Sequence, residues 1–306
     1  MTLFSLSEIL ILTFNVFTFY VLRACDGRAF PDNTRLFYQA LAVVDVIGGT
    51  TGFCMDISVL TSTELSFGVG GPFCMLFPMI YYSFFGQTLF VLCCINVDRL
   101  LTILRPMKYL QFATVKRASW ALGFALVIPI LLTCGLWPLP SFPATNLLRS
   151  TCGLETSDDD LADDVFFWSF LPIILSCSLT MAIVTISNVG LIIIACRQAR
   201  SLGRIIPRSQ NDASLNASPS PDMMRGVRTV IVITGCSYLG MCTWLFGTLV
   251  IYPRLASSPY RELFIVSGFI ELSTRWWNGA IYLLTNKGFR TQAKNTFRKL
   301  CLCARL

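Results

Sequence analysis

Asp98 and Arg99 stand side by side within INVDRLLTILRPMKY, residues 95–109, directly after the run Leu76–Ile95, which carries no formal charge. Such a pair can mark the edge of an apolar element as an ion pair. It can also keep a guanidinium at that edge, its stem among apolar neighbours and its head free to meet water or a partner. Asp45 raises a related question, because it interrupts a second apolar stretch, and an ionisable group at such depth persists mainly where a partner or water meets it. It is either an anion in an internal polar site or a protonated carboxyl hydrogen-bonded to neighbours. Glu271 and Arg275 fall inside a third apolar stretch. The chain has thirteen cysteines and no histidine, which disfavours a catalytic zinc site with imidazole ligands. No nucleophile-and-base or metal-ligand cluster emerges, so the chain does not read as an enzyme.

The elements that carry these residues are set by composition. Of 306 residues, 54% are hydrophobic and only 13% charged, and the mean hydropathy is +0.65, outside soluble globular usage. A helix needs roughly 20 predominantly apolar residues to cross a bilayer. Seven stretches qualify, at about Leu3–Leu22, Leu36–Leu60, Phe73–Val97, Ala118–Trp137, Val165–Cys196, Thr229–Tyr252 and Leu263–Leu284. Twenty of the 24 lysines and arginines fall in alternate loops and the C-terminal segment. Positive charge stays cytoplasmic, which places the N-terminus outside and the C-terminus inside. The net charge of +7 is then a topology signal and a match to anionic lipid, not a mark of nucleic-acid binding.

The connections differ in character. Cys74 begins the third span at its outer end and Cys152 lies in the outer loop 138–164. They are either a disulfide, which persists in an oxidising compartment, or two unrelated thiols. The same loop carries six carboxylates against Arg149, an acidic mouth that steers a cationic peptide or is simply solvated. Residues 1–285 read as the membrane domain. Residues 286–306 form an amphipathic helix and short tail, with Phe289, Ala293, Phe297 and Leu300 at helical spacing among basic residues, a pattern that lies in the membrane interface. Cys301 and Cys303 follow, as acylation sites or as unmodified thiols.

Several positions agree in order and spacing with one family. Asp98-Arg99-Leu100, with Pro106 and Met107-Lys108-Tyr109 after it, resembles the Asp-Arg-Tyr end of the third helix and the second inner loop of rhodopsin-like (class A) G-protein-coupled receptors. Cys74, Asn15, Leu41-Ala42-Val43-Val44-Asp45, Trp120 and Asn278-Gly279-Ala280-Ile281-Tyr282, then Phe289, extend the resemblance over essentially the whole chain. The resemblance implies an all-α membrane protein: a seven-transmembrane helix bundle with a C-terminal amphipathic interfacial helix, sited in the plasma membrane. It implies a receptor that passes an extracellular ligand signal to a heterotrimeric G protein. Asp98, Arg99, Asn278 and Tyr282 form its coupling switch, in which Asp98 restrains Arg99 at rest. It pairs Cys74 with Cys152, and it places an allosteric sodium ion among Asp45, Thr88 and Asn278, whose oxygens suit a hard cation.

The departures bear on mechanism. Leu100 replaces the usual Tyr, Gly279 replaces the helix-seven Pro, and the sixth span has no proline, only Cys242-Thr243-Trp244 with Gly240 and Gly247 as bend points. A receptor-shaped protein that no longer signals is one consequence. A transporter is a rival class, but inverted repeats and interrupted helices are not visible. Amine receptors carry an aspartate seven residues after the cysteine matched by Cys74, where this chain has Tyr81, and 263–284 contains no lysine for a retinal Schiff base. A peptide or lipid ligand is favoured, in a cavity with Tyr81, Tyr82, Phe85, Trp244 and the anion Glu271.

Overall fold

Within hydrocarbon every backbone N–H and C=O must pair inside the structure, and a single apolar segment achieves this only as a helix. The computed structural model is helical almost throughout the residues it describes, which are 2–24, 32–65, 72–104, 109, 114–136, 174–175, 177–194, 197, 221–251 and 258–303. In chain order they form α1 (Thr2–Ala24), α2 (Asp32–Leu65), α3 (Pro72–Leu104), α4 (Val115–Leu136) and α5 (Cys177–Ile194). Next come α6 (Pro221–Phe246), which runs into a π-helical turn at Gly247–Ile251, then α7 (Ser258–Thr285) and α8 (Lys287–Cys303). Among the described residues α1 to α5 each contain a stretch long and apolar enough to cross a bilayer, and α6 has a shorter one, Ile231–Phe246. Helix α7 carries Glu271 and Arg275 and relies on its neighbours to enclose them.

Two helices outrun the expected spans. Helix α3 continues past Val97 to Leu104, because Leu100, Leu101, Ile103 and Leu104 are unbroken helix-compatible residues and the first breaker is Pro106. At 1.5 Å per residue its 33 residues reach roughly 50 Å, well beyond a hydrocarbon core of about 30 Å. Asp98 and Arg99 therefore lie on a helix wall, not beyond its end. Helix α2 begins at Asp32, which accepts from Arg35 at 3.0 Å and sets a negative charge in the first turn, where the helix dipole favours it.

The helices close into a ring. Helix α1 packs on α2 and α7, α2 on α3 and α4, α3 on α4 and α6, and α6 on α7, while α8 lies against α1 and α7. Helix α5 joins through Gly190, whose Cα faces the Leu100 side chain, and through the 2.9 Å bond between Thr185 and Tyr238. Small residues set the closest approaches. A Cβ on Gly86 would stand 2.9 Å from the Pro129 ring of α4, and one on Gly240 would stand 2.5 Å from Thr274 Cγ2 of α7. The outward faces are apolar, with Trp120, Phe124 and Leu131 on α4 and Leu179 and Ile186 on α5 exposed. Asn15, Asp45, Asn96, Arg275 and Asn278 are buried instead. That inversion of the soluble pattern is what lipid as solvent selects.

Asn286 separates α7 from α8 and caps the latter, its Oδ1 accepting from the Phe289 N–H at 3.0 Å as N-cap residues do. The cap turns α8 so that Phe289 and Ala293 are buried while Phe297 faces outward, as an interfacial helix requires.

Candidate functional site

Two polar centres interrupt the apolar interior. The first lies midway along α2, α3 and α7. Asp45 is fully buried and receives Thr88 Oγ1 on Oδ1 at 2.9 Å and Asn278 Nδ2 on Oδ2 at 3.5 Å. The three residues named from sequence thus meet. Beside them, α7 contributes a pair that sequence reading did not draw. Arg275 Nη2 donates to Glu271 Oε1 at 3.2 Å, and both side chains are almost completely enclosed. The guanidinium carbon stands 5.6 Å from the centre of the Phe85 ring, a cation–π distance. Its Nη1 packs so close to α2 that a Cβ on Gly48, one turn from Asp45, would meet it at 2.9 Å. The signal that could have revealed the pair was its i, i+4 spacing, which stacks two side chains on one helix face.

A cavity of about 20 Å³ opens between these groups, lined by Thr88, Ser237, Glu271, Arg275 and Asn278 together with Phe85, Leu89, Leu92, Met241 and Thr274. That is room for a water molecule or an ion. Asn278 Oδ1 is buried there without a hydrogen-bond partner, a role that a water fills as readily as a cation does. The sodium ion implied by the resemblance has its oxygen donors in place. It would share the cavity with a fixed guanidinium, however, in surroundings where like charges repel more strongly than in water.

The second centre lies near the C-terminal end of α3. The expected restraint of Arg99 by Asp98 is not the one observed. Asp98 engages both carboxylate oxygens with neutral donors, Tyr109 Oη at 2.6 Å and Thr34 Oγ1 at 3.3 Å. Burial, and then the adjacent Asp98 carboxylate, raise the Tyr109 phenol above its ordinary pKa, so the phenol remains a donor at neutral pH. Arg99 lies near the Tyr38 hydroxyl of α2. The Tyr38 ring lies 4.8 Å from that of Tyr282, and Tyr282 in turn 5.6 Å from Phe289. The Tyr282 hydroxyl is buried beside Tyr38. Tyr38 was not foreseen, although it stands seven residues from Asp45 and so shares its helix face.

Among the proposed ligand-contact residues, Phe85 and Trp244 pack together with ring centres 5.3 Å apart. Glu271 is not an open anion, because Arg275 neutralises it. Cys152 and the side chains of Cys74, Tyr81, Tyr82, Cys301 and Cys303 lie outside the described residues. Of the glycines read as bend points, Gly240 is a packing contact against Thr274, while Gly247 opens the π turn of α6. Gly279 is also a contact: a Cβ there would stand 2.7 Å from Thr18 Oγ1 of α1.

The sequence pattern of the family described as 7 transmembrane receptor (rhodopsin family) matches residues 10–282. The chain belongs to that family. It is therefore a multi-pass membrane receptor by membership. This rhodopsin-family receptor is 24% identical to mouse G-protein coupled receptor 52 over 290 residues, which cover 89% of this chain and 74% of that protein. It is also 31% identical to the mouse histamine H1 receptor over 123 residues, and 30% identical to the human one over the same length. Those two matches take in 38% of this receptor and 24% of each histamine receptor.

Proposed function

We propose that the receptor passes an extracellular ligand signal to heterotrimeric G proteins. The observation that carries this reading is the meeting of α2, α3 and α7 at Arg99, Tyr38 and Tyr282. A guanidinium held by a neutral phenol can be released without breaking an ion pair, and rigid-body movement of helix ends is an established way to expose such a group. The distribution of basic residues supports this end being cytoplasmic, in a plasma-membrane protein with its N-terminus outside. Nothing in the reading calls for enzymatic chemistry.

The ligand we favour is a peptide or a lipid. Histamine is what the names of two relatives state for those proteins, but this chain has Tyr81 where amine receptors carry the aspartate that pairs with the ligand ammonium. The test is guanine-nucleotide exchange by the purified receptor on a panel of G proteins, screened with peptide and lipid libraries. Exchange that Arg99→Ala abolishes while the receptor stays folded is the expected result. No exchange on any G protein, with any ligand or none, refutes signalling and leaves the receptor-shaped, non-signalling reading.

A further inference from the structure

The mid-membrane centre contains two carboxylates, Asp45 and Glu271, and one guanidinium, Arg275, all buried. Arg275 lines the cavity with Thr88 and Asn278, the two residues that bond Asp45; it bonds Glu271 on its own helix α7 and packs against α2 at Gly48, one turn from Asp45. Phe85 of α3 takes the face of the guanidinium. Three helices thus hold the group, and its head cannot swing to solvent as a surface arginine's does. With both carboxylates ionised the set carries one negative charge, which a proton on one of them removes without adding a second cation to the cavity. The neutral groups facing it are Thr88, Ser237 and Asn278.

We infer that Arg275 is the built-in cation of the Asp45 site, standing where a mobile sodium ion would otherwise bind, so that this receptor is indifferent to sodium. The arrangement gives Glu271 a role in α7: one turn before Arg275, the i, i+4 carboxylate orients the guanidinium against the Phe85 ring. It also explains Gly48, since any side chain there would displace Nη1. The inference does not depend on whether the receptor couples to a G protein.

The test uses the purified full-length receptor and sodium alone as the probe. Thermal unfolding midpoints are measured in sodium chloride and in N-methylglucamine chloride at equal ionic strength. The wild type is expected to unfold at the same temperature in both. The double variant Glu271→Gln/Arg275→Gln removes the pair together and restores a lone carboxylate with Thr88 and Asn278. It is expected to gain a sodium-specific rise of roughly 2–4 °C, which the further change Asp45→Asn abolishes. A sodium-specific rise in the wild type that Asp45→Asn removes overturns the inference. A folded double variant that is as indifferent as the wild type overturns the role given to Arg275. Should the double variant not fold, sodium-23 resonance broadening decides: equal broadening by wild type and Asp45→Asn supports the inference, and excess broadening by the wild type refutes it.

Discussion

Removing one hydroxyl, Tyr109→Phe, tests the restraint on the inner switch. The phenol donates to Asp98 Oδ1 at 2.6 Å, and the other oxygen has only Thr34 at the longer distance of 3.3 Å. A hydrogen bond to a charged group contributes about 1.5–3 kcal/mol, and leaving a buried acceptor unmet removes most of that. Tyr109 is half-buried, so water replaces part of the loss and roughly 1–1.5 kcal/mol remains. If the bond exists only in the resting arrangement, about 1.4 kcal/mol moves the equilibrium tenfold, and a basal active fraction of about 1% rises to about 10%. The assay is ligand-free nucleotide exchange by wild type and variant at matched receptor concentration. The pH dependence has a definite sign. The phenol pKa is raised in the folded state, so the bond's contribution is fully present below the ordinary phenol value of about 10 and is lost as pH rises through the raised one. Basal exchange should therefore be flat across neutral pH. Combining Tyr109→Phe with Asp98→Asn should give less than the sum of the two, because they share the Tyr109–Asp98 bond. An unchanged basal rate in a variant of unchanged midpoint, or full additivity with Asp98→Asn, would refute the reasoning.

Three further outcomes follow from the packing and the chain chemistry. Gly279→Ala forces a Cβ to 2.7 Å from Thr18 Oγ1 and 3.4 Å from the Phe14 carbonyl and should destabilise by about 1–3 kcal/mol, whereas Gly235→Ala, with nothing within 4 Å, should be neutral or stabilising; unfolding midpoints compare the two. Glu271→Gln alone leaves the buried Arg275 without its nearest carboxylate and should cost about 3–5 kcal/mol, while Glu271→Gln/Arg275→Gln should cost less than either single change, which the same midpoints read as strong non-additivity. Peptide mapping without reduction should recover Cys74 and Cys152 in one linked species that reduction separates.

Where sequence and structure agree, a single strong constraint is at work. The bilayer fixes how long an apolar helix must be but not where it stops; α3 runs to Leu104 because nothing breaks it before Pro106. Asp45, Thr88 and Asn278 could be grouped because family spacing relates residues on three helices. The partners of Asp98 could not, and the adjacency of Arg99 misled. Neighbouring residues on an α-helix point about 100° apart, so an acid and a base at i and i+1 do not face each other. Asp98 therefore turns to Thr34 and Tyr109, and Arg99 to Tyr38. Which donor fills each direction depends on how α2 and the segment after α3 lie against the helix, and that is tertiary information.

Helix α7 is the element the two polar centres share. Asn278 reaches Asp45, and Tyr282, one turn on, packs at a tilt against Tyr38. A proline at position 279 would free a backbone carbonyl and let the helix bend there. Glycine instead lets α7 close on α1, with Thr18 filling the space a side chain would take. On the other side Gly240 of α6 does the same against Thr274. Bending at Gly279 would open the contact that the glycine makes with α1. The irregular backbone lies instead in the π turn Gly247–Ile251 of α6, the kind of site where helices kink. Where the family has a proline in α7 this chain has a close contact with α1, and among the described residues the irregular helical turn lies at the end of α6.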